Sequence, residues 1–198
     1  MKKLKILILF LAVAAFILIP LPAADVYVRL HFSEAGGDNC SLYYTTGDFP
    51  NFSQDKCIIS DIDYEKNEVT FRLDSSLEGK ITGFRLDFPN TQSLIGIENI
   101  TVSSAGIVQK QYNPCDFFEE KNVIYVNQAE YSLVRPHNRT YIAPNGDDTY
   151  FIFSDTLACE LNNSYSHFRL TRLGICFFAA GCYFFTKRKI MGKRCMSG

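Results

Sequence analysis

Tryptophan is absent from the 198-residue chain, histidine occurs three times, and no acidic residue lies near either end. Without Trp, any sugar-stacking surface has only Tyr and Phe to draw on. His31, His137 and His167 are far apart in the sequence, so no His-centred catalytic constellation is legible. No Gly-rich loop precedes a helical segment, which removes dinucleotide-binding and P-loop readings. No cysteine spacing matches a zinc site, such as CxxC followed by a second such pair. Paired carboxylates do occur, at Asp61/Asp63 and Asp147/Asp148. Both pairs sit in turn-like contexts, where Asp caps loops for local reasons. A glycosidase needs another carboxyl about 5–9.5 Å away across a cleft. We therefore expect no enzymatic activity and no required cofactor.

The missing acids also divide the chain. All 21 Asp/Glu lie between Asp25 and Glu160, with only ten Lys/Arg among them, a net of −11. The flanks hold the remaining ten cations. An acidic middle excludes charge-driven binding of nucleic acid, because phosphate contacts need clustered Lys/Arg. It equally disfavours anionic polymers as a simple charge-driven ligand. At the N-terminus, Lys2, Lys3 and Lys5 precede an apolar run from Ile6 to Ile19, which Pro20 and Pro22 end. That is the layout of a secretory signal, either cleaved or kept as an anchor over residues 1–24. At the other end, the uncharged run Leu173–Thr186 is followed by five Lys/Arg between Lys187 and Arg194. As a helix the run is about 21 Å long, short for a bilayer unless Arg169 and Arg172 snorkel. The cations after it are a positive-inside signature. We expect a membrane helix over 169–186, a basic cytoplasmic tail over 187–198 and an extracytoplasmic domain over 25–168.

Alternation dominates that middle. VYVRLHF, residues 26–32, puts Val26, Val28, Leu30 and Phe32 on one face, and SLYYTT follows at 41–46. EVTFRLD aligns Val69, Phe71 and Leu73; ITGFRLDF aligns Phe84, Leu86 and Phe88. IGIENITV reads as a strand with a bulge near Glu98, and NVIYV and TYFIFSD complete the set. Short period-two strands separated by Gly, Asn, Asp and Pro predict an all-β antiparallel sandwich or jelly roll. No segment of the middle has convincing helical periodicity, apart from a possible turn over 115–122. FRLD occurs twice, at 71–74 and 84–87, within surroundings that do not match. Each copy reads as a half-buried strand with Phe and Leu inside and Arg and Asp outside. The Arg and Asp of each copy are placed to pair with one another.

KITGFRLDFPN followed by IGIENITVSSAG, Ile81 to Val102, resembles a strand–turn–strand pattern of galactose-binding-like β-sandwiches. SLYYTTGDFPNFSQ and NGDDTYFIF are similar to stretches in extracytoplasmic modules of bacterial membrane proteins that build surface polysaccharides. Phe88 between Asp87 and Pro89, and Thr149 where those modules carry Pro, depart from the pattern. The resemblance implies a jelly-roll module beside a membrane in glycan assembly, without a specific ligand. The partners it implies are a cell-surface glycan or a membrane glycan-assembly protein. The alternatives are an adhesin-like protein-interaction ectodomain and a truncated relative of a polytopic glycosyltransferase.

Candidate ligand-binding residues are Arg85 and Asp87 on the second FRLD strand, with Tyr43, Tyr44, Phe49 and Phe52 as stacking aromatics. Tyr44 and Phe52 are equally suited to packing. Asp38, Asp61, Asp63 and Asp147 are candidate oxygen ligands for a structural calcium, against the plainer reading of solvated acidic loops. Cys40, Cys57, Cys115 and Cys159 allow two disulfides. Nearest-neighbour pairing favours Cys40–Cys57 with Cys115–Cys159; four free, small, buried thiols are the other reading.

Overall fold

The computed structural model describes residues 23–48 and 50–165. The signal-like segment, Phe49, and the apolar and basic segments after residue 168 lie outside the described residues. Among the described residues, no helix is long and apolar enough to cross a membrane.

Eleven strands account for most of this region: β1 Val26–Glu34, β2 Asn39–Thr46, β3 Cys57–Asp61, β4 Glu68–Leu73, β5 Ile81–Asp87, β6 Ile95–Ser104, β7 Ile107–Tyr112, β8 Val123–Asn127, β9 Ala129–Val134, β10 Arg139–Pro144 and β11 Tyr150–Phe153. A short helix, α1 Pro114–Phe117, precedes β8, and a longer one, α2, runs over 155–165. Sheet one has the order β4-β1-β6-β10-β9, and sheet two the order β3-β2-β5-β11-β8. Every pairing is antiparallel. Together they make a β-sandwich. β6 is long enough to serve two partners along one edge: Ile95–Ile97 pair with β10, and Ile100–Ser104 with β7. The β6–β7 turn has positive φ at both Ala105 and Gly106, the combination that suits a two-residue hairpin.

The alternating positions form the core. Val26, Val28, Leu30 and Phe32 of β1 are buried, as are Ile95, Ile97, Ile100 and Val102 of β6. The spacing break at Glu98 is a bulge, since the β1 register steps from Asn99 to Ile97 there. The two FRLD copies lie in opposite sheets, and Phe71, Leu73, Phe84 and Leu86 belong to one buried cluster. Phe84 stacks on Phe153 at 4.8 Å between centroids, and Phe118 meets Phe151 edge-on at 5.2 Å.

The structure adds elements that the periodicity did not suggest. Strands β3, β7, β9 and β10 lie in stretches without clean alternation, and neither β7 nor β9 buries any residue fully. The middle also contains a substantial helix. α2 buries Leu157, Ala158, Leu161 and Tyr165, which share one helical face. It closes one end of the sandwich: the Tyr165 hydroxyl donates to the Asp74 carbonyl (3.1 Å), and Asn162 Nδ2 donates to the Ile81 carbonyl (2.7 Å). β1 starts at that same end, where Val26 pairs with both Leu73 and Ser104. Residues 23 and 165 therefore lie at one pole, and the Asp87 end of β5 points to the other.

Candidate functional site

β5 occupies the middle of sheet two, between β2 and β11. Period two sends Phe84 and Leu86 into the core and Arg85 and Asp87 to the outer face. The register then builds two rows across that face. One reads Cys57, Tyr43, Arg85, Ile152, Tyr125, and the next reads Ile59, Ser41, Asp87, Tyr150, Asn127.

Arg85 is the centre of these rows. Its guanidinium carbon lies 3.8 Å from the centroid of the Tyr150 ring and 4.7 Å from that of Tyr43. Each such contact contributes about 0.5–2 kcal/mol, more as water is excluded. Arg85 Nε donates to Asp87 Oδ1 at 2.6 Å, and Nη2 donates to Asp87 Oδ2. Residues two apart on a strand share a face, so the pair closes within one strand. A second carboxylate, Asp148, reaches Nη2 at 3.8 Å. The side chains of Arg85 and Asp87 are each about one-fifth exposed, that of Asp148 62%. Burial raises the Asp87 carboxyl above its ordinary range, and Arg85 pulls the other way. The hydrogen bonds to Asp87 outweigh burial at Arg85 and hold its guanidinium further above its ordinary value. The two partners lean in different directions because burial penalises both charges, and only Arg85 has contacts strong enough to overcome it.

The surroundings hold this pair still. The Tyr43 hydroxyl accepts from Gln54 Nε2 (2.8 Å). Burial, then the neighbouring Cys57 thiol, raises the Tyr43 phenol. Asp148 is positioned through its backbone. Its N–H donates to Gln128 Oε1 (2.9 Å), and its carbonyl accepts from Asn127 Nδ2 (2.6 Å). Gln128 has positive φ at the corner where the chain leaves sheet two for sheet one. A Cβ on Gly146 would come within 2.1 Å of Gln128 Oε1, so only glycine leaves room for that bond. Tyr125 lies beside Tyr150, with centroids 6.0 Å apart, and is 49% exposed.

Of the residues singled out in the sequence, Arg85, Asp87 and Tyr43 meet on this face. Tyr44 points the other way and packs against the core. Phe52 is half-buried in the β2–β3 connection, outside both rows, and Phe49 is outside the described residues. The sequence does not single out Tyr150, Tyr125 or Asn127, and it offers Asp148 only as half of a carboxylate pair in a turn-like context. The alternation in TYFIF placed Tyr150 opposite Phe151, but its neighbours on the sheet depend on strand order.

The four cysteines in the described residues are free thiols. The nearest-neighbour pairing is corrected by register: Cys40 faces Ser60 and points into the core, whereas Cys57 faces Tyr43 on the outer side. Cys115 is buried, donating to the Arg139 carbonyl, and Cys159 is exposed on α2. Burial, then the charge of Asp87, pushes the Cys40 thiol up to about 12. Among the described residues, no three His, Cys, Asp or Glu side chains converge as a metal site. Asp63 Oδ1 caps its own turn, accepting from the N–H groups of Glu65 and Lys66, and Asp147 accepts from Asn90 Nδ2. Asp38 and Asp61 lie at the ends of the β2–β3 pair.

A second feature is a polar cleft of about 440 Å³ where β7, α1 and α2 converge, lined in part by Lys110, Tyr112, Asp116, Lys121 and Glu160. Glu160 accepts from the Tyr112 hydroxyl (2.6 Å) and from Lys110 Nζ (2.5 Å). Burial raises the Glu160 carboxyl, but these two bonds and the Lys110 charge prevail and hold it below its ordinary range. Lys110 and Glu160 thus satisfy each other, while Lys121 pairs with Glu119 (2.6 Å) and Asp116 with Arg135 (3.8 Å).

No known family model, curated protein or solved structure matches this chain. The resemblance to galactose-binding-like modules therefore rests on the quoted motifs alone.

Proposed function

We propose that this chain is a non-catalytic binding module, tethered to a membrane with its sandwich outside the cell, that takes a glycan on the outer face of sheet two. The observation that carries the reading is the close-packed array on that face. Tyr43, Arg85 and Tyr150 are stacked together, Asp87 and Asp148 offer acceptors beside them, and Tyr125 presents a half-exposed ring at the edge. Sugars need a flat apolar surface for their C–H faces and fixed polar groups for their hydroxyls. Residues 23 and 165 lie at one pole, and the Asp87–Tyr150 row lies toward the other. That arrangement suits a module held at one end and open at the far one. The basic, acid-free flanks and the motif resemblance favour the same setting. A jelly-roll connectivity is part of the proposal.

Binding of the full chain in detergent to a broad glycan panel tests it, with Tyr125→Ala alongside. Tyr125 is half-exposed, so its loss leaves the core intact. We expect a glycan to bind and the variant to lose at least about tenfold in affinity. Binding that is indifferent to Tyr125 would move the site elsewhere. A second reading, a protein-interaction module, is favoured by Ile59 on edge strand β3 and Ile124 on edge strand β8, which are 63% and 64% exposed. Failure of the whole panel would favour it.

A further inference from the structure

We infer that the outer face of sheet two selects uncharged glycans, N-acetylated sugars included, and discriminates against acidic ones. This rests on the glycan reading above and adds the class of sugar. Arg85 is the one cation in the two central rows, and its charge is already engaged by carboxylates. Its Nε and Nη2 are given to Asp87, and Asp148 stands 3.8 Å from Nη2. Tyr43 and Tyr150 cover the guanidinium, so it cannot swing out to meet a ligand without losing both rings.

A uronate, sialate or sulfate approaching this face would meet one cation already engaged by two carboxylates. Capturing the cation would mean breaking a two-point ion pair and leaving Asp87, which is mostly covered, without its partner. Lys56, in the turn leading into β3, directs its ammonium to Thr46 Oγ1 (2.6 Å). The net −11 of the span Asp25–Glu160 adds repulsion at longer range. Hydroxyl and acetamido groups meet the opposite situation. The exposed carboxylate of Asp148 accepts from sugar hydroxyls, and Tyr125 offers a ring face to the pyranose. Like-charge contact penalises the wrong ligand more than it strengthens the right one, which is how such a face discriminates.

The test compares matched oligosaccharides with and without a uronate or sialate residue, binding to the full chain in detergent at low and physiological salt. We expect the uncharged member to bind and its acidic counterpart to bind at least about tenfold more weakly. Asp148→Asn should narrow the gap by raising binding of the acidic member, and added salt should narrow it too. Asp148 is surface-exposed, so this variant leaves the core untouched. Acidic sugars binding as tightly as their uncharged counterparts would overturn the inference and leave the glycan reading standing. So would a gap that neither Asp148→Asn nor salt alters. Binding of neither class would overturn the glycan reading itself, and this inference with it.

Discussion

The same four residues, FRLD, end in two different electrostatic arrangements. In the second copy Arg85 closes on Asp87 as expected. In the first, Arg72 Nε reaches Asp25 Oδ2 at 2.6 Å, while Asp74 turns to accept from the Ser76 N–H. The difference is strand length. β5 continues through Asp87, but β4 stops at Leu73, so Asp74 has left the sheet and caps the following turn. The copies should therefore respond differently to mutation. Asp87→Ala strips a mostly covered guanidinium of its close partner and should cost about 1–3 kcal/mol in denaturant melts. Arg72→Ala removes an exposed ion pair and should barely move the midpoint. The thiols separate in the same way. Peptide mapping after brief alkylation of the native chain should label Cys159 and, more slowly, the half-buried Cys57. Cys40 and Cys115 should stay unlabelled until unfolding, because both are buried and their thiols are raised above the ordinary value. Labelling of Cys40 in the native state would contradict its place in the core.

At the scale of elements, α2 and β7 are joined by Glu160, whose carboxylate holds Lys110 and Tyr112. Its carboxyl is held below the ordinary glutamate value of 4.5. The stabilisation is therefore fully present above about pH 4.5 and is lost as pH falls through the lower folded value. We expect the melting temperature of the native chain to fall more steeply than that of Glu160→Gln as pH drops below that point. Equal slopes would mean that α2 docks through its apolar face alone. That apolar face was readable: Leu157, Ala158, Leu161 and Tyr165 follow a helical repeat. Asn162, Asn163 and Ser164 mask it, because they lower helix propensity and interrupt the hydrophobic pattern. Packing on the sandwich end overrides the propensity, as it does in most short helices. Strands β7 and β9 are hard to read from the sequence for a related reason. An edge or half-exposed strand buries too little on either face to alternate cleanly, and neighbouring strands induce it.

The sandwich is held by one core that both sheets share. Phe118 is fully buried within the ring cluster of Phe88, Phe117, Phe151 and Phe153. Phe118→Ala should cost about 3–5 kcal/mol, read as a shifted midpoint in chemical denaturation. A shift well below that would mean that the cluster collapses into the cavity. The sequence by itself determined the β class, the inward residues of β1, β4, β5 and β6, the bulge at Glu98 and the outward placement of Arg85 and Asp87. It could do so because side-chain direction along a strand is a local, period-two property. It also determined the charge division of the chain, which is a matter of composition. The tertiary structure alone decided which strands lie side by side. Only that order brings Tyr43, from 42 residues upstream, and Tyr150, from 65 downstream, onto the two sides of Arg85. It likewise set Cys40 and Cys57 on opposite faces of one sheet, through a register that neither cysteine encodes. Strand order and register are settled by the packing of two whole faces against each other, so no short stretch of sequence carries them.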